Sequence, residues 1–146
     1  METKTDTNTA LLDFIYQNAE MGKQTIPQLL DSAEDPEFRR VLSSQLREYE
    51  DICHAAKDML HQEETGVKGV GPMAKISSYL SVNFNLMIDK TTSHMAEMMM
   101  KGSNMGIIEI TQKLKKYPDA DSAVLSLGHK LLKTEERNVE QLKKFL

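Results

Sequence analysis

The stretch Leu131-Leu132-Lys133-Thr134-Glu135-Glu136-Arg137-Asn138-Val139 decides how this chain is read. At the 3.6-residue period of an α-helix, Val124, Leu131, Leu132, Val139, Leu142 and Leu146 fall on one apolar stripe. Glu135 lies in the middle of that stripe, with Asn138 on its flank. A carboxylate in a core position is costly unless it is paired, hydrogen-bonded, metal-bound or protonated. The segment is therefore a core-facing helix, and Glu135 is the first candidate for a site.

Outward from this stretch the helical period continues through most of the 146 residues. Residues 1–8 read as a polar, flexible tail, with Thr7 to Thr9 offering a helix cap. Helix 1 spans about 10–32 on a stripe of Leu11, Ile15, Gly22, Ile26 and Leu29, and Pro27 inside it predicts a kink or a one-turn break. Asp35-Pro36 places an N-cap and a first-turn proline at the start of helix 2, which runs over about 36–62. Phe38, Leu42, Leu46, Tyr49, Ile52, Cys53, Ala56 and Leu60 face inward along it. The glycine-rich Thr65–Pro72 loop lacks the ending of a phosphate-binding loop and reads as a connection. Residues 63–89 read as a crossover along the bundle, helix 3 as about 90–116, and helix 4 as about 120–146. Four long helices with almost no strand pattern make an all-α, up-down four-helix bundle of two hairpins, in one domain over 9–146.

Composition bounds the partners. Charged residues are 27% and hydrophobic ones 40% of the chain, and the net charge of −4 is spread evenly, which speaks against nucleic acid or an anionic membrane as the main partner. No apolar run reaches membrane-span length, and no signal-peptide core follows Met1. A single cysteine, Cys53, cannot staple the fold, so a cytoplasmic location is expected.

The two hairpins resemble each other. Asn18–Leu30 lies over Gly102–Leu114 with Met21 on Met105, Gly22 on Gly106, Ile26 on Ile110, Gln28 on Gln112 and Leu30 on Leu114. Val41-Leu42-Ser43 likewise lies over Val124-Leu125-Ser126, and both overlays bring the apolar stripes into register. A duplicated helical hairpin follows.

Two helical hairpins joined by a long crossover resemble the ferritin-like family, rubrerythrins included, over about residues 9–146. The resemblance implies a di-iron or di-manganese centre built from one inward Glu on each of two helices and Glu-x-x-His on each of the other two. It also implies oxidase, peroxidase or metal-storage activity. The nearest matches are Asp51-Ile-Cys-His54, Glu135-Glu-Arg-Asn138 and Glu20. Helical phase turns Glu20, Asp51, His54 and Glu97 toward the polar faces, and leaves Asn18, Gly22, Gln45, Tyr49, Met99, Gly102 and Gly106 facing inward beside Glu135. One carboxylate and a few amides are too few ligands for two divalent metals. Glu135 is then expected to be a protonated or hydrogen-bonded core acid, partnered by Asn18, Gln45 or Tyr49. The competing reading is a remnant metal site.

Two further constellations are weaker. His54, Asp58 and His61, with Asp51, form a column on helix 2 that suits zinc by spacing, although such columns are commonly solvated surface. Helix 3 carries Met95, Met98, Met99, Met100 and Met105, half of the ten methionines, with Ile107 and Ile108. Apolar on nearly all sides, it predicts burial under the crossover or a homodimer face. His94 with Met98 has the donor types for Cu(I) but no supporting second pair. Cys53 faces inward as a core thiol, and no nucleophilic constellation is evident. The expectation is a structural or interaction protein without a di-metal centre and without a cofactor. The alternative is a redox protein holding iron, manganese or zinc around Glu135.

Overall fold

The computed structural model describes residues 3–66 and 89–146. Four α-helices form an all-α bundle: α1 (Lys4–Ser32), α2 (Pro36–Gly66), α3 (Thr92–Lys116) and α4 (Ser122–Leu142), followed by a 3-10 turn, Lys143–Phe145. No strand occurs among the described residues. The crossover assigned to 63–89 falls for the most part outside them.

Helix order follows from which ends meet. Asn8 near the start of α1 bonds to both Glu63, near the end of α2, and Asp121, at the start of α4. Lys144 beyond α4 pairs with Glu37 at the start of α2, at 2.7 Å. Lys113 lies over the ring of Phe14, 5.8 Å from its centroid, so α3 runs against α1. The order is up, down, down, up, with α1 packed most closely on α2 and α3 on α4. The end of α2 and the start of α3 consequently lie at opposite ends of the bundle.

The N-terminal boundary corrects the expected tail at 1–8. Helix α1 begins six residues before Ala10, at Lys4, because Thr3 and Asp6 form a reciprocal capping box. Asn8 is 1% exposed and donates to Asp121 Oδ2 at 2.9 Å, while its Oδ1 accepts from the Asp121 backbone N–H at 2.8 Å. A polar side chain that early in the chain thus pins the start of α4. The expected break at Pro27 is also absent, since α1 runs through it. Pro27 is exposed, so the carbonyl it leaves without a partner faces water, while Ile26 and Leu29 on either side are buried and hold the turn.

Elsewhere the local signals operate as read. Asp35 Oδ1 accepts the Phe38 N–H at 2.9 Å, capping α2 ahead of Pro36. Arg39 reaches back to the Ala33 carbonyl at 2.8 Å, and so satisfies the end of α1. Leu11, Ile15 and Ile26 of α1, Phe38 and Leu42 of α2, Ile110 of α3 and Leu131 of α4 are each fully buried. Every such side chain contributes about 1.5–3 kcal/mol. The terminal turn sets Phe145 edge-on against Phe38, with centroids 5.1 Å apart, and covers one end of this core.

Candidate functional site

At mid-height of the bundle the core turns polar. Leu131, Thr134, Glu135, Asn138 and Leu142 form the buried face of α4, and Glu135 is only 2% exposed. Opposite it, Tyr49 of α2 is also buried and donates its hydroxyl proton to Glu135 Oε1. Asn138, one turn on from Glu135 on the same helix face, donates to the Tyr49 oxygen at 3.1 Å. The hydroxyl therefore gives one hydrogen bond and receives one, in a short chain from amide to phenol to carboxyl. The pairing expected among Asn18, Gln45 or Tyr49 falls to Tyr49; Gln45 donates instead to Gln141, at 3.1 Å.

Burial dominates the electrostatics of this pair. It pushes the Glu135 carboxyl from 4.5 up to about 7, against the opposing hydrogen bonds from Tyr49, Ser103 and Asn138. Tyr49 is held well above the usual tyrosine value, first by burial and then by the charge of Glu135. Ser103 of α3 stands close enough to both groups to oppose these rises, yet its buried hydroxyl forms no well-aligned hydrogen bond. At neutral pH Glu135 thus divides between acid and carboxylate.

Two glycines make room for the pair. A Cβ on Gly22 would meet the Tyr49 ring at 2.5 Å, and one on Gly106 would meet Glu135 Oε2 at 2.7 Å and Asn18 Nδ2 at 3.0 Å. These are the two glycines that the internal repeat superposes, and each lies against one member of the hydrogen-bonded pair. Between α1 and α3 they leave a half-open pocket of about 270 Å3, with Met21, Met98, Met99 and Met105 among its lining and Tyr49 and Glu135 at its base. Gly102 also lines it, is exposed, and has no atom within 4 Å of where a Cβ would stand.

The remaining candidates lie apart from this centre. His54 Nε2 and Asp58 Oδ2 are 3.4 Å apart on side chains 80% and 63% exposed, and His61 is exposed too. They form the solvated pair that the polar face predicts. Asp51 is exposed, and Glu97 pairs with Lys101 at 2.9 Å. His94 lies 3.9 Å from Glu97. Glu20 departs from its expected place on the polar face. It is half-buried against α2, with Oε1 3.6 Å from Cys53 Sγ and 3.7 Å from Lys23 Nζ. Cys53 is pushed up to about 12, by burial first and by Glu20 second, so its thiol stays protonated. Among the described residues no three His, Cys, Asp or Glu side chains are grouped to hold a metal ion. Sequence reasoning missed Ser103, although it shares the buried stripe of α3 with Met99 and Gly106. It also missed the pocket, because depth between two helices has no signature along either one.

The fold and site define a class: a four-helix bundle with a carboxyl–phenol pair at its centre and an apolar pocket opening onto that pair. Among known proteins, no family model, no curated protein and no solved structure matches the chain.

Proposed function

We propose that this protein is a non-enzymatic interaction bundle, ferritin-like in its helix order, that holds a small organic ligand in the pocket between α1 and α3. One observation carries the reading: an apolar pocket of about 270 Å3 ends on a carboxyl that is 2% exposed and whose titration lies near neutrality. A concave, mostly apolar site with one or two convergent polar groups is the usual form of a small-molecule site. Where the ferritin-like pattern would set a second carboxylate or a histidine opposite Glu135, this chain sets Tyr49, hydrogen-bonded as a core partner. That substitution supports the absence of a di-metal centre. Free Cys53 supports a reducing, cytoplasmic setting. No helix among the described residues is long and apolar enough to cross a membrane. The same proposal includes a homodimer through the methionine-rich α3 or the crossover; on α3 Ile108 is 57% exposed.

The test uses a neutral probe, 2-phenylethanol, with ligand-observed NMR on the wild-type chain and on Gly102→Leu. Gly102 lines the pocket and a Cβ there meets nothing within 4 Å, so a leucine has room at this position and is expected to narrow the pocket. Binding to the wild type that is lost in Gly102→Leu supports the reading; equal signals from both, or none, overturn it. Elemental analysis after expression with iron, manganese and zinc supplied is the companion measurement. Near-stoichiometric metal, lost in Glu135→Ala, would replace the reading with a redox protein built around Glu135. Zinc lost in His54→Ala alone would point to the outer column. Sedimentation at micromolar concentration as a 16.6 kDa monomer would remove the homodimer.

A further inference from the structure

The pocket has a chemical preference that its shape alone does not state. Tyr49 occupies Glu135 Oε1, while Oε2 stands beside Gly106 and Asn18 at the pocket wall, with the Ser103 and Asn138 side chains close by but poorly aligned on the carboxyl. In the ionised carboxylate Oε2 is an acceptor that a donor in the pocket can reach. Acids outnumber bases around it. From α4 comes Glu135; from α2, the neutral phenol of Tyr49; from α1, the neutral Asn18 and Thr25; from α3, Ser103, Glu109 and Lys101. Lys101, also on the pocket lining, is paired with Glu97, with Nζ 2.9 Å from the carboxylate. Glu109 and Glu135 are both acids, against one lysine that already has an acid partner, so an anion is disfavoured. A guest without an N–H or O–H would leave Oε2 unmatched, a neutral hydroxyl would meet it, and an ammonium would meet it with charge pairing as well.

Resting on the binding reading above, we propose that the pocket takes a small organic amine, with an apolar body against the methionines and an ammonium group donating to Glu135 Oε2. The size follows from volume. An apolar cavity of about 150 Å3 holds benzene, so a pocket of about 270 Å3 holds on the order of ten heavy atoms. Methionine side chains adapt to different apolar outlines, so the body of the amine is less specified than its head group. Pairing with an ammonium favours the ionised carboxylate, so binding releases the proton Glu135 carries in the free protein at pH 6.

Isothermal titration with phenethylamine, 2-phenylethanol and 3-phenylpropionate at pH 6 and pH 8 tests this. The amine is expected to bind more tightly than the alcohol at pH 8, with the anion weakest. Its affinity should rise about tenfold from pH 6 to pH 8, the ratio of ionised fractions for an acid near 7, while the alcohol changes little. Glu135→Gln keeps the size of the side chain and its acceptor for Tyr49. It should lower amine affinity about tenfold or more at pH 8 and leave the alcohol within about twofold. If the alcohol binds, is excluded by Gly102→Leu, and the amine is no tighter or is indifferent to Glu135→Gln, the amine assignment falls and the pocket reading stands. If the alcohol does not bind either, the pocket reading itself has failed.

Discussion

Replacing Glu135 with glutamine should change how stability depends on pH more than it changes stability at any one pH. In the folded chain the carboxyl titrates near 7 instead of 4.5 because it is buried. Between those two values the folded state therefore binds more protons at this site than the unfolded state does. The sign follows: the native-state preference for the protonated acid is fully present below pH 4.5 and is lost as pH rises through about 7. At about 1.4 kcal/mol per unit, raising the pH from 5 to 8 removes about 2.5 kcal/mol of stability through this one group. Glutamine has the same outline, accepts from Tyr49 and does not titrate. The stability of Glu135→Gln relative to the wild type should accordingly improve by about 2.5 kcal/mol across that interval. Urea unfolding of both proteins at half-unit steps measures the difference, and other acids such as Asp13, raised by its own burial, cancel in it. Parallel curves, with a difference constant to within about 1 kcal/mol, would refute the reasoning. They would mean that Glu135 ionises as a solvated carboxyl does.

Tyr49→Phe removes the hydroxyl that links Asn138 to Glu135, and two buried polar atoms then lack a partner. A loss of about 2–4 kcal/mol is expected in denaturant titrations, with the Glu135 carboxyl titrating still higher by carbon-detected NMR. Gly22→Ala and Gly102→Ala should act in opposite directions. The first drives a methyl to within 2.5 Å of the anchored Tyr49 ring and costs about 1–3 kcal/mol, whereas the second meets nothing within 4 Å and gains about 0.5–1 kcal/mol of helix preference. Asn8→Ala should lower stability by about 1–3 kcal/mol and speed amide exchange in the first turn of α4, whose Asp121 N–H it holds at 2.8 Å.

Much of the fold was legible because helices advertise themselves locally. The period of the apolar stripes and Asp35-Pro36 before α2 depend on residues within a turn or two of each other. Glu135 stood out for the same reason, as one acid on an otherwise apolar stripe, and phase alone turned His54 and Asp58 to solvent. Errors arose where distant chain decided a local outcome. The segment before Ala10 reads as tail although Thr3 and Asp6 stand at capping-box spacing, and the contacts of Asn8 with Asp121 and Glu63 exist only in the fold. Glu20 reads as surface until α2 brings Cys53 beside it.

By itself, then, the sequence determined the helical class, the order of two similar hairpins and the presence of a carboxylate in the core, since each depends on spacing along one helix. Only the tertiary structure decided that Tyr49 is its partner, that Gly22 and Gly106 clear the space for both, and that a methionine-lined pocket opens above them. These are properties of the gap between helices, and a gap is set by side chains that lie far apart along the chain and meet only when it folds.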